Sequence, residues 1–236
     1  MGKINFIEKA AENIDIESEN LIEQILEISS LSSERQKEEA RVLLSQGVNE
    51  FKQSFIRGYE LVLNHAAQNK FGIPRENFEL KPLDKKSHPE AAHESSDLKN
   101  KFLQEIFGYT PRMLREIYEF GCQLFHQKEF GKCADVLIFL IVLNPTLCWF
   151  WQVLGRAWEA QEKNEEALYA FTVAINCDLH RIEGYQDAVR CCVKMKDYKN
   201  AQSILDYGLE AIKNDSDVSL ESGLKSMKAY IKKLGG

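Results

Sequence analysis

The sequence predicts an all-α protein: three stacked helical hairpins closed by a capping helix and preceded by a helical N-terminal extension. Three observations predict it. Residues of like character recur at a step of 34 from about residue 114 to 215, and such a period marks a stacked-repeat architecture. Within each period the apolar positions step by three and four, the spacing of one helix face. Helix punctuation falls where the repeats require it: Thr110-Pro111 is an N-cap followed by proline at the first helical position, the favoured order at a helix start.

Composition narrows the function. The chain has 236 residues, 44% hydrophobic and 28% charged, enough for two compact units. Its net charge of -6 argues against a nucleic-acid surface, because neutralising phosphates takes a basic excess. No apolar run approaches the roughly 18 residues of a membrane span, and the start, "MGKINFIEKAAENIDIE", places glutamates where a signal peptide needs an apolar core. The expectation is a cytoplasmic protein without a membrane segment. All six cysteines lie between Cys122 and Cys192 with no C-x-x-C among them, which reads as small buried hydrophobes in a reducing compartment.

The N-terminal extension, residues 1–70, has no repeat. Residues 3–14 and 18–31 read as short amphipathic helices, and Ser33 with Gln36 offers a capping box for a longer one. In that helix Ala40, Leu44, Val48, Phe51, Phe55, Tyr59 and Val62 form a stripe suited either to the core of a helical bundle or to a homodimer seam. Residues 71–98 hold three of the five prolines and little periodic hydrophobicity, which predicts a linker. Residues 99–236 are the repeat domain.

Each repeat unit follows in order. Gly121 and Gly155 are one period apart, as are Phe120 and Leu154, Leu124 and Trp158, and Leu137 and Phe171; Ala167 pairs with Ala201, Trp151 with Tyr185, and Phe171 with Leu205. Units at 114–147, 148–181 and 182–215 result. Trp151, Leu154 and Trp158 give the first helix of the middle unit an apolar face, Gly155 admits the second helix closely, and Ala167, Phe171 and Ala174 answer. One hairpin cannot bury such a face alone, so the units must stack. The third unit carries Val189 in place of the glycine. Beyond it, Leu220, Leu224, Met227, Tyr230 and Ile231 read as a capping helix with lysines toward its end.

The middle unit, W-x2-L-G-x2-W followed by A-x3-F-x2-A, resembles the tetratricopeptide repeat. That resemblance implies a superhelix whose inner face comes from the first helix of each unit. Its groove would carry Arg115, Tyr118, Cys122, Phe125 and His126 from the first unit, Trp149, Gln152, Arg156 and Glu159 from the second, and Glu183, Gln186, Arg190 and Lys194 from the third. An extended peptide suits such a wall: arginine and glutamine hold its backbone while aromatics take its side chains. Tyr118 and Phe125 suit either the groove or the hairpin core. Tetratricopeptide arrays that clamp the acidic terminus of a heat-shock chaperone use Lys and Asn at set positions. Tyr118, Cys122, Val153, Glu183 and Asp187 stand there instead, and the acids would repel a carboxylate.

Catalytic motifs for phosphate, metal or nucleophilic chemistry are missing from the sequence. Cys122 and His126, one turn apart, are the nearest thing to a constellation and read as groove residues, so the sequence predicts no enzyme, no metal site and no cofactor. His65, His88, His93 and His180 read as solvated.

Over residues 110–213, Tyr118 to Phe130, the link Val142-Leu143-Asn144, Phe150 to Gly155 and the three units together resemble the class II chaperones of bacterial type III secretion. The resemblance implies that the groove binds the apolar segment of an exported translocator or effector as an extended peptide, with homodimer formation through N-terminal helices. The other reading of the same fold is an adaptor joining components of a protein assembly.

Overall fold

The computed structural model describes residues 34–80, 103–213 and 217–235, and side chains in the first helix from residue 45. The helices expected at 3–14 and 18–31 and the linker from 81 to 98, with His88 and His93, lie outside the described residues. These hold nine α-helices and no strand. The chain divides into two compact units, Met1–Pro111 and Arg112–Gly236.

In the first unit, α1 spans Glu34–Ala67. Its C-terminal half buries Phe55, Tyr59, Val62 and Ala66, while Phe51 stays 42% exposed. The described part of the stripe is therefore core from Phe55 onward and open at Phe51. The chain then reverses through Asn69 and Gly72, both at positive φ, into a 3-10 turn at Arg75–Asn77. This corrects the expectation of a linker from residue 71. Phe71, Ile73, Phe78 and Leu80 are buried. The Leu80 N–H donates to the Tyr59 hydroxyl at 2.9 Å, and the Tyr109 hydroxyl donates to the Phe78 carbonyl at 2.5 Å. Pro74 and Gly72 form a tight return here, and composition alone does not distinguish a turn former that folds a segment back from one that lets it run free. Helix α2, Leu103–Ile106, and Tyr109 fall in this unit, not in a repeat domain beginning at 99. His65, expected to be solvated, packs at a tilt against Phe71 with centroids 4.5 Å apart, and burial together with Lys70 holds its pKa below the usual value.

The second unit contains the predicted hairpins: α3 (Pro111–His126) with α4 (Phe130–Leu143), α5 (Cys148–Glu159) with α6 (Asn164–Cys177), and α7 (Ile182–Lys194) with α8 (Tyr198–Ala211), followed by α9 (Val218–Gly235). From α4 onward each helix packs on the next, and α5 with α7 and α7 with α9 also touch, which aligns the first helices in one layer. The period reaches the backbone. Lys128, Glu162 and Lys196, one period apart, each adopt φ near +60°. The N–H that follows each of them closes on the carbonyl of Leu124, Trp158 and Cys192 respectively, at 2.9 to 3.0 Å. This is a Schellman turn ending the first helix of every hairpin. Between hairpins, Asn144 and Asp178 share an extended C-cap geometry, and their side-chain oxygens accept from the N–H of Thr146 and His180. The asparagine of the Val142-Leu143-Asn144 link thus forms an Asx turn that starts the next unit.

Close approach within each hairpin explains the glycines. A methyl on Gly155 would meet Phe171 at 2.5 Å, and one on Gly121 would meet Leu137 at 2.7 Å. In the third hairpin the partners exchange helices: a methyl on Gly208 of α8 would meet the buried Tyr185 of α7 at 2.5 Å. The capping helix buries Leu220, Leu224 and Ile231 under an Asp217 cap whose carboxylate accepts from the Leu220 N–H at 3.0 Å. Tyr230, expected in that buried stripe, is 60% exposed.

Candidate peptide-binding groove

The inner layer offers three successive surfaces. At its start is an aromatic cluster. Tyr118 of α3 lies 6.3 Å from Trp149 and 5.8 Å from Phe150 of α5, measured between ring centroids. Phe150 is buried, Tyr118 half-buried, and Trp149 is 44% exposed, so the cluster grades from core to open surface. Desolvation, reinforced by a hydrogen-bonded Cys122, pushes the Tyr118 hydroxyl well above its ordinary value; Arg156 and Arg181 oppose the shift from nearby. Burial likewise pushes the Cys122 thiol up, although the Tyr118 contact lowers it. A nucleophilic cysteine needs the opposite shift, and Cys122 is engaged by Tyr118.

Next comes a polar ladder between α5 and α7. Asp187, only 3% exposed, accepts from Arg156 Nε at 2.9 Å and Nη2 at 2.8 Å, from Arg190 Nη1 at 2.7 Å and from Gln152 Nε2 at 3.3 Å. Arg190 also donates to Glu159 through Nε at 3.1 Å and Nη2 at 2.7 Å, and Lys194 reaches the same carboxylate at 2.6 Å. Burial would raise the Glu159 pKa, but hydrogen bonds from Arg190 and Lys194 outweigh it and hold this carboxyl below its usual value. The ladder fixes otherwise mobile arginines, and a fixed donor loses less entropy when a ligand arrives.

Beyond the ladder, α7 and α9 flank an open cleft of about 450 Å³ lined by Val193, Met227 and Ile231 together with Arg190, Lys194 and Tyr230.

The predicted contact residues divide accordingly. Tyr118, Cys122 and Trp149 come together, as do Gln152, Arg156 and Arg190, while Gln186 lines the cleft. Arg115 is exposed on the first turns of α3. Phe125, half-buried, packs its ring on Phe130 at 5.3 Å and on His126 at 6.2 Å. The expectation that Asp187 would repel a ligand carboxylate is also corrected, since two guanidiniums and an amide occupy it; Glu183 alone of that pair is exposed. Sequence reasoning missed Arg181, which lies near Tyr118 and whose Nη1 reaches the Cys148 sulfur at 3.9 Å. It also missed the cleft. A stripe of Met227 and Tyr230 on a helix read only as a cap was the available signal.

The fold defines the class: a helical-hairpin array of tetratricopeptide type whose layer of first helices carries aromatic, polar and apolar zones. No protein-family model matches the sequence, and no curated protein matches it. Solved structures do. A chain of the CopN–Scc3 complex is similar at 20% identity over 76% of this chain and 99% of that one, with a TM-score of 0.50. A T3SS complex from Aeromonas hydrophila is similar at 16% identity, covering 58% of this chain and 92% of that one, again at 0.50. The type III secretion translocator chaperone SycD of Yersinia enterocolitica is similar at 17% identity over 56% of this chain and 98% of that one, at 0.47. At such identities what is shared is the fold.

Proposed function

We propose that this protein is a cytoplasmic type III secretion chaperone that holds an apolar segment of an exported translocator or effector, in extended form, along its concave face. The observation that carries the reading is the Tyr118–Trp149 cluster, where an indole 44% exposed sits over a half-buried phenol at one end of a pre-paired polar ladder. Large aromatics beside fixed arginines are the usual anchors of a peptide surface. The motif resemblance over residues 110–213 and the fold shared with the CopN–Scc3 and Aeromonas hydrophila complexes support it.

The working of the site is binding, not turnover. Client side chains replace water on Trp149 and Tyr118, and Arg156 and Arg190, already oriented by Asp187, offer remaining N–H groups to the client backbone. Sequestering the segment prevents the strand pairing and collapse that exposed apolar stretches undergo. Phe51, exposed on α1, supports homodimer formation through that helix.

Affinity capture from source cytosol with the full chain, in parallel with Tyr118→Ala/Trp149→Ala, tests the reading. Recovery of an exported apolar protein by the native chain alone, together with aggregation of that protein when expressed without the chain, is the expected result. Equal recovery by both, with a client that stays soluble alone, would replace chaperone by adaptor.

A further inference from the structure

The layer of first helices continues past the last repeat, because α9 packs against α7 as α7 packs against α5. Between them lies the cleft of about 450 Å³, a volume within the range of side-chain and small-ligand pockets. Val193 and Met227 in it are half-buried and Ile231 is fully buried, whereas Tyr230 is 60% exposed at the cleft, an apolar surface the fold leaves open.

Its charge has one sign. The two charged residues that line it, Arg190 and Lys194, are cations. Their counter-ions are shared: Glu159 and Asp187 serve Arg156, Arg190 and Lys194, so three cations meet two carboxylates. Helix α9 adds Lys232 and Lys233 in its last turn.

We infer that the α7–α9 cleft is a second client pocket, taking an apolar side chain of the extended segment that is flanked by Asp or Glu. The apolar side chain packs on Val193, Met227 and Tyr230, and the flanking carboxylate completes the unbalanced pairing at Lys194 and Arg190. Positive neighbours disfavour a lysine at the same place, so the pocket selects by charge as well as by shape. This inference rests on the groove reading above and sets the chemistry of the client's far end.

The test is methyl and indole NMR on the full chain with two synthetic probes, Ac-Gly-Glu-Leu-Glu-Phe-Glu-Gly-NH2 and its counterpart with Lys for each Glu. The acidic peptide is expected to shift the methyl signals of Met227 and Val193 and to bind about tenfold more tightly than the basic one. Lys194→Glu should reverse that preference, and Tyr230→Ser, which alters an exposed ring, should weaken the acidic peptide about fivefold. Equal affinity for both peptides would overturn the inference. Shifts confined to the Trp149 indole would overturn it while leaving the groove reading standing; shifts at Met227 with none at Trp149 would support it and count against the aromatic end as the client site. Met227 shifts that depend on protein concentration without peptide would assign the cleft to a second copy of the chain, and the inference would fall.

Discussion

Replacing Gly155 by alanine sets two effects of opposite sign against each other. Alanine is the better helix former by about 1 kcal/mol, so at an open position it would stabilise α5. The added methyl, however, would sit 2.5 Å from Phe171 Cε1 and 2.7 Å from its Cδ1, about 1 Å inside ordinary carbon contact. Phe171 is wholly buried. Overpacking of this kind costs roughly 1–3 kcal/mol, so the net expectation is a loss of about 1 kcal/mol. Phe171→Ala removes the ring that the methyl would meet, so the loss in the double variant should be smaller than the sum of the two single losses. All three tryptophans lie on α5, which makes their fluorescence a local reporter during urea unfolding. A Gly155→Ala chain more stable than the native one, or a double variant whose losses simply add, would refute the claim that this contact sets the hairpin spacing.

Three further outcomes follow from the ladder and the turns. Asp187→Ala removes the carboxylate that holds Arg156 and one of the two that hold Arg190; because Arg156 is 43% exposed and turns to water while Arg190 keeps Glu159, the expected loss is about 2 kcal/mol by urea titration, not the larger cost of a stranded buried charge. Glu159 has its folded pKa held below the ordinary 4.5, so its ionised form contributes stability that is fully present above that value and lost as pH falls through the lower folded pKa. The stability gap between native chain and Glu159→Gln should therefore be constant at neutral pH and close below pH 4.5; a gap that widens with acid would contradict the assignment. Glu162 is held at φ 63°, where a left-handed side chain costs about 1–2 kcal/mol and glycine's extra entropy returns about 0.5–1, so Glu162→Gly should raise thermal stability by about 0.5–1 kcal/mol.

The repeat unit was legible because its constraints are local and periodic. Gly155 against Phe171 and the helix stripes recur at 34 residues, and each recurrence restates the same contact. What escaped were relations the period does not encode. Asp187 reads as an exposed acid until Arg156 of the preceding hairpin is placed over it. Phe125 occupies a register shared by groove and turn, and its packing on Phe130 is a contact the period does not encode. Phe71, Ile73 and Phe78 sit among proline and glycine, so their burial depends on a chain reversal that apolar spacing does not reveal. The cleft arises where α9 meets α7, and a helix read as a lid gave no reason to look for a surface on its inner side.

The central claim is that the client lies on the concave face at Trp149. A photo-crosslinking amino acid placed at position 149, and separately at Tyr169, an aromatic of α6 that is 62% exposed, would be irradiated in source cells. The account predicts a covalent adduct with an exported apolar protein from position 149 and none with that protein from 169. An adduct from 169 alone, or the same adduct from both, would contradict it.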